Sequence, residues 1–526
     1  MGMRGSRFGS VVFVVISLLA ALCYNPQLYA TGVSPLAAVP VLLLHLALAV
    51  TFGGIPGLRW GYFLFLHVAG CALTYFYTLF DVSMSYDTLA WLLETNRAEV
   101  DSFVTWPLFL LLCAGIAVSL VHSSLSQSFR ASLAGRRYAA MAGLLLLCAL
   151  VSAEGGRAAF KHLGGKASYE ALSMSRIVPV SVVKAAAAYV REERRSDTLA
   201  ALPDPADAAS SLVIPDHEKP VVVFIIGESA RADHFGINGY ERDTTPRLSV
   251  ERNIINYGVC RSFANTTRVS LIGILTDATI EDRTPRHGSF ISLFNKHGYD
   301  TAFFSRQNRL GRSGHLTDAL VSGAGTVEYL KGVDRDLVTR LQAFVANAGG
   351  KLVVLHTQGS HFSYNQQYAA EHRRFMPDTY SNEAMPRDIA NVINAYDNSI
   401  VKTDAMIAET IDVLRDRNAV VLYTSDHGES LGENGVFFHG TKKVADEQYE
   451  VPLFLWYSDV YEKSRPDVVA RLRRVRGTPV THDFIYHTLL GLGGIRSTIA
   501  SASHDLSGVT AQPLRASGDE AVALTE

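Results

Sequence analysis

The sequence predicts two unlike parts: five membrane-spanning helices, then an α/β domain with a parallel or mixed sheet. Three observations predict this. Charged residues are missing from long apolar runs before residue 155. Short β-branched strands alternate with helical stretches after residue 219. Two of those strands end directly on metal-ligand chemistry, at Glu228 and at Asp426-His427.

From Phe8 to Leu58 there is no Asp, Glu, Lys or Arg, and Thr31-Gly-Val-Ser-Pro35 splits the run into spans of roughly 9–30 and 36–53. Further uncharged runs extend from Trp60 to Phe80, Ser102 to Phe129 and Tyr138 to Ala153. A span needs about 20 apolar residues, so the last run should extend toward Gly156. Arg4, Arg7, Arg59, Arg130, Arg136 and Arg137 fall on one side of this arrangement, while Arg97 alone lies on the other, among Asp81, Asp87, Glu94, Glu99 and Asp101. The Arg-rich side is cytoplasmic by the positive-inside rule, which places everything after residue 155 outside. A cleavable signal peptide is the alternative for residues 1–30; the four later spans keep the same orientation. Between the third and fourth spans, Met84, Leu89, Trp91, Leu92 and Leu93 suggest a helix lying at the outer membrane interface, against an ordinary solvated loop.

The net charge is −2, and no nucleic-acid partner is expected. Of the five cysteines only Cys260 lies beyond the spans. It has no disulfide partner there and reads as a small buried residue.

The domains expected are a membrane domain over 1–156, a linker over 157–218, a catalytic α/β domain over 219–500 and a polar tail over 501–526. Helix formers fill Val180 to Arg195, and Leu202-Pro-Asp-Pro-Ala-Asp-Ala-Ala-Ser-Ser211 reads as a flexible tether. Strands are expected at Val221–Ile226, Thr301–Phe304, Leu352–Leu355 and Ala419–Tyr423. Helices are expected at Ser289–His297, Arg335–Ala348 and Ile389–Asp416.

Glu228, Asp426 and His427 offer two hard oxygen ligands and an imidazole, a set that suits zinc with one position open. The bland alternative for Asp-His-Gly is an Asx-capped turn. A nucleophile is expected on a turn opening a helix, where backbone N–H groups face an incoming phosphate. In Ala264-Asn-Thr-Thr-Arg-Val-Ser-Leu-Ile-Gly273 both Thr266 and Thr267 qualify, and either can equally be an N-cap. His361 and His439 are placed to hold phosphate oxygens or a second, weaker metal. His356 reads as a structural strand-end residue.

These residues resemble those of the phosphoethanolamine transferases of the alkaline phosphatase superfamily, which include lipid A-modifying enzymes and those conferring mobile colistin resistance. The segments that carry the resemblance are Gly227-Glu-Ser-Ala-Arg-Ala-Asp-His-Phe-Gly-Ile-Asn-Gly-Tyr-Glu-Arg-Asp-Thr-Thr-Pro246, Leu355-His-Thr-Gln-Gly-Ser-His361, Asn394-Ala-Tyr-Asp-Asn398 and Ser425-Asp-His-Gly-Glu-Ser-Leu-Gly-Glu-Asn-Gly435. Leu93-Glu-Thr-Asn-Arg-Ala-Glu99 also resembles the family's periplasmic helix. The resemblance implies an alkaline-phosphatase-like (sulfatase-like) exported domain behind a five-helix anchor in the bacterial inner membrane. It implies zinc on Glu228, Thr267, Asp426 and His427, with one tight site. It selects Thr267 as nucleophile, because its spacing to Ser270 matches the family's Thr-x-x-Ser. It assigns His361 and His439 to phosphate and Asn308 to substrate. The implied reaction moves phosphoethanolamine from phosphatidylethanolamine, through a phosphothreonine, to a lipid or glycan acceptor in the cell envelope.

Two departures stand out. Relatives that modify lipid A usually carry several disulfides in the exported domain, and a Pro two residues after the Thr-x-x-Ser; here there are none, and Leu271-Ile272 occupy that region. The alternatives are a phosphoglycerol transferase with the same machinery, or a non-enzymatic membrane sensor. Cys260-Arg-Ser-Phe-Ala264 does not match the Cys/Ser-x-Pro-x-Arg of sulfatase activity.

Overall fold

The computed structural model describes residues 2–80, 82–94, 103–133, 135–307, 311–381, 385–440 and 445–510. The chain divides into two compact units, Met1–Arg191 and Glu192–Glu526.

Among the described residues of the first unit, four helices are long and apolar enough to cross a membrane: Pro35–Gly53, Arg59–Phe80, Trp106–Ala131 and Gly135–His162. The first expected span is the helix Gly2–Cys23, which stops short of the expected residue 30 because Pro26 starts a separate 3-10 turn. The fifth expected span runs past Gly156 to His162. A short helix, Tyr86–Glu94, begins where the interface helix was expected; residues 95–102 of that loop lie outside the described residues.

Small and polar side chains hold the bundle together, as expected where lipid removes the hydrophobic drive between helices. Ser17 Oγ donates to Phe13 O at 2.9 Å, so it must accept from His122 Nε2, 3.0 Å away. His122 Nδ1 then accepts from His67 Nε2 at 2.9 Å, and His67 Nδ1 accepts from the Tyr24 hydroxyl at 2.8 Å. One directed chain of hydrogen bonds thus joins the helices Gly2–Cys23, Arg59–Phe80 and Trp106–Ala131.

The second unit is built on an eight-stranded mixed sheet in the order β11-β3-β10-β7-β2-β6-β4-β5. The strands are β2 (Val221–Gly227), β3 (Ile254–Arg261), β4 (Asp300–Ser305), β5 (Thr326–Tyr329), β6 (Lys351–His356), β7 (Ala419–Ser425), β10 (Glu450–Tyr457) and β11 (Val480–Thr481). Strands β7, β2, β6, β4 and β5 are mutually parallel, and β10 runs antiparallel to both β7 and β3. Every residue of β2, β6 and β7 is buried, which explains their unbroken Val/Ile/Leu character. Val222, Phe224 and Ile226 share one core with Leu271, Leu275, Leu293 and Leu489 from the flanking helices. The expected strands and helices are present, each shifted by a few residues at its ends. Two short pairs complete the unit: β1 (Ser210–Leu212) with β12 (Ile495–Ser497), and β8 (Ser430–Leu431) with β9 (Phe437–Phe438).

Two segments differ from expectation. The tether expected at Leu202–Ser211 packs down: Leu202, Leu212 and Val213 lie against the core that holds Leu199. Lys296 Nζ donates to the carbonyls of Ala206 and Ala208 at 2.7 and 2.8 Å. Residues 501–510, the described part of the expected polar tail, pack onto the unit. Leu506 and Val509 enter the core, and buried Asp505 accepts from the backbone N–H groups of Ser507 and Thr510. In both, a few well-spaced apolar residues outweigh a small, polar composition.

Candidate active site

Parallel strands deliver their carboxyl ends to one edge of the sheet, where ligands of open α/β folds bind. Glu228 follows β2 and Asp426 follows β7, and β2 pairs with β7 in a register that sets Gly227 opposite Ser425. The pairing alone therefore brings the two carboxylates together. Glu228, Asp426 and His427 are each fully buried, and one ligand atom from each lies within 4.8 Å of the others. Thr267 opens the helix Thr267–Leu275. Its hydroxyl lies 3.1 Å from Glu228 Oε2 and 3.2 Å from His427 Nε2. Thr266 is the N-cap of that helix but makes no side-chain capping bond.

The donor set fits a metal ion. His427 Nδ1 donates to Gly428 O at 2.8 Å. A carbonyl only accepts, so the proton is on Nδ1 and the Nε2 lone pair faces the cluster. That lone pair stands 3.3 Å from Asp426 Oδ2 and 3.4 Å from Glu228 Oε1. Asp426 Oδ2 is buried and receives no hydrogen bond, while Oδ1 accepts from Ser229 N and His427 N at 3.1 and 2.7 Å. Burial, with the Asp426 charge beside it, pushes the Glu228 carboxyl well above the usual carboxylate range. Burial likewise pushes the His427 ring down to about 4. Two carboxyl groups and an imidazole lone pair held this close, with Asp426 Oδ2 reached by no hydrogen bond, call for a cation.

The surrounding shell holds these ligands. Ser229 takes a left-handed backbone, φ 56°, so that its N–H reaches Asp426 and its hydroxyl donates to Glu228 Oε1 at 2.8 Å. Gln307 Nε2 donates to Glu228 Oε2 and to Thr357 O, both at 2.8 Å. Gly359 packs so close that a Cβ there would meet the backbone N and O of Glu228 at 2.8 Å.

His439 lies beside the cluster, its ring centroid 4.0 Å from that of His427. It bonds Glu429 Oε2 through Nδ1 at 2.8 Å. Burial pushes the Glu429 carboxyl up to about 8. His361 bonds Phe362 O through Nδ1 at 2.7 Å. His356 is a buried strand-end residue. Asn308 lies outside the described residues. Sequence reasoning passed over Gln307, Ser229 and Glu429. Ser229 directly follows Glu228 and Glu429 stands two residues after His427, so for these two the place beside the cluster was the available signal.

Residues 220–495 match the sulfatase family model, and residues 41–194 match that of phosphoethanolamine transferase EptA/EptB. The chain belongs to the phosphoethanolamine transferase family of the sulfatase superfamily. It is 32% identical over 330 residues to the Kdo(2)-lipid A phosphoethanolamine 7''-transferase of Escherichia coli (strain K12), a match covering 59% of this chain and 58% of that relative. The chain thus spans little more than half the length of that curated family member. In fold it is similar to the integral membrane lipooligosaccharide phosphoethanolamine transferase A of Neisseria meningitidis, with TM-score 0.78 and 23% identity over 94% of this chain and 98% of that one. The C-terminal periplasmic domain of EptC from Escherichia coli, solved in complex with Zn, shares the fold of the second unit at TM-score 0.52 and 19% identity, over 60% of this chain and 92% of that domain.

Proposed function

We propose that the chain is a phosphoethanolamine transferase of the bacterial inner membrane, with its second unit in the periplasm. It takes the headgroup from phosphatidylethanolamine and passes it to lipid A, lipopolysaccharide core or another envelope glycan. Family membership and the names of the relatives support the reaction class. The single observation that carries the mechanism is the Thr267 hydroxyl, set within 3.2 Å of both Glu228 and His427 at a buried, cation-demanding cluster.

Glu228, Asp426, His427 and Thr267 would hold zinc. Bound zinc supplies a Lewis acid that eases loss of the Thr267 proton and offsets charge on the phosphate oxygens. Thr267 Oγ attacks phosphorus, the bond to the glycerol oxygen breaks, and diacylglycerol leaves with a proton. The headgroup is then a phosphoester on Thr267. An acceptor oxygen attacks the same phosphorus, and Thr267 Oγ leaves and regains its proton. His361 and His439 hold phosphate oxygens through both steps, and Asn308 contacts the substrate. Glu429 bonds His439 Nδ1 and so turns Nε2 toward the phosphate.

Intact-mass analysis of the full-length protein incubated with phosphatidylethanolamine tests this reading. A phosphoethanolamine adduct is expected on the unsubstituted protein and on Thr266→Ala, and none on Thr267→Ala. An unchanged adduct on Thr267→Ala would overturn the assignment, and a phosphoglycerol adduct formed from phosphatidylglycerol, with none formed from phosphatidylethanolamine, would establish the phosphoglycerol reading instead.

A further inference from the structure

His482 is fully buried between the two segments that meet at the cluster, and its ring bonds backbone groups of both. It follows β11, and its backbone N–H donates to Arg261 O at the end of β3, 3.0 Å away. Its ring makes two further bonds to backbone. Nδ1 accepts from Phe263 N–H at 3.1 Å, and Nε2 lies 3.0 Å from Ser425 O. A nitrogen that accepts from an N–H carries no proton, so the ring proton is on Nε2 and is donated to Ser425. Only the neutral Nε2–H imidazole makes both bonds.

The two bonded peptides are the ones that matter. Ser425 is the residue before Asp426. Phe263 anchors the segment leading to Thr267: its ring fits so tightly on the following helix that a Cβ on Gly273 would meet it at 2.2 Å. The next carbonyl, Ala264 O, accepts from Ser262 Oγ at 2.7 Å and from Ser270 Oγ at 3.0 Å. One rigid planar ring therefore spans from the strand end that presents Asp426 and His427 to the segment that presents Thr267.

We infer that His482 is a positioning residue for phosphoryl transfer, setting the separation between Thr267 Oγ1 and the Asp426-His427 strand end. This rests on the transferase reading above. A nucleophile misplaced by about 1 Å loses on the order of a hundredfold in rate, without any change in what the substrate touches.

Two conservative variants each keep one of the bonds. His482→Asn retains an acceptor for Phe263 N–H, and His482→Gln retains a donor for Ser425 O. In the full-length, zinc-loaded protein each is expected to lower kcat about ten- to a hundredfold, with KM for phosphatidylethanolamine changed less than about twofold. Cobalt(II) in place of zinc reads the geometry without turnover, since its visible absorption follows ligand number and arrangement. Both variants should shift that spectrum in the direction seen for Thr267→Ala. Unchanged kcat and cobalt bands in folded, metal-loaded variants, or a lower Tm as the only effect, would overturn the inference. Should the unsubstituted protein form no adduct with phosphatidylethanolamine, the transferase reading fails, and the cobalt spectra still decide the role of His482.

Discussion

Asp426 Oδ2, buried and reached by no hydrogen bond, sets the expectation for single ligands. Replacing one of so few ligands leaves the other lone pairs facing each other around an under-coordinated ion. Asp426→Ala and His427→Ala should therefore lose zinc from the purified full-length protein. Metal analysis reads this directly, and it also shows whether His361 and His439 carry a second, weaker ion; full occupancy in both variants would move the ligand assignment elsewhere. Gln307 offers a gentler test. Its amide donates to the same Glu228 oxygen that Thr267 bonds, and outer partners of this kind contribute roughly 10–100-fold in metal affinity. Gln307→Leu should weaken zinc by about that factor in competition with a chromophoric chelator, and equal affinity would make the bond incidental. The metal-capable group of Glu228, Asp426 and His427 was legible from sequence because it directly follows two apolar strands. Gln307 was not, because its role depends on a loop conformation after β4 that no local pattern encodes.

The helix Ile389–Leu414 supports the site from a distance, in part through an ion pair. Lys402 Nζ bonds Asp334 Oδ2 at 2.5 Å and Gly359 O at 2.9 Å. Asp334 in turn accepts from the N–H groups of Gln358 and Gly359 at 2.8 and 3.0 Å. This pair holds the turn that packs against the Glu228 backbone. Burial opposes the Asp334 charge, but the Lys402 charge and hydrogen bond outweigh it and hold the carboxyl below its ordinary range. A depressed folded pKa contributes stability above the unfolded value, lost as pH falls through the folded one. Lys402→Met should thus destabilise the second unit by about 3–5 kcal/mol near neutrality, and the deficit should shrink below about pH 4. Urea unfolding of the full-length protein at several pH values checks both the size and the sign. The missed elements have a physical reason too. β10 contains Pro452, which argues against a central strand. Its pairing with β7 begins one residue later, at Leu453, and a register shift follows between Leu453 and Phe454, so the ladder accommodates the missing N–H.

For the whole molecule, the boundary of the second unit decides what can be cut. A fragment starting at Lys219 loses Leu199, Leu202, Leu212 and the β1–β12 pair. Leu199 is buried and Leu202 and Leu212 are partly so, and burying a Leu contributes up to roughly 1.5–3 kcal/mol, so a fragment starting at Glu192 should be clearly more stable to urea; equal midpoints would mean that the β1 segment only rests on the core. The membrane unit should matter for the donor rather than for the chemistry, because anchoring raises the local concentration of lipid headgroups. Full-length protein should outpace the Glu192 fragment on phosphatidylethanolamine vesicles and match it on a short-chain soluble analogue. Equal rates on vesicles would reduce the helices to an export device.

The sequence by itself determined the two-part organisation, the buried parallel strands and the metal-capable Glu228, Asp426 and His427 group, because these follow from hydropathy and from short-range order: a strand, its end, and the residues after it. Tertiary structure decided which of two adjacent threonines faces the cluster, that Pro452 sits within the sheet, and that the presumed tether and the first part of the tail are core. These depend on contacts between residues far apart in the chain, such as His482 with Phe263 and Ser425, which no local pattern of apolar and polar residues records.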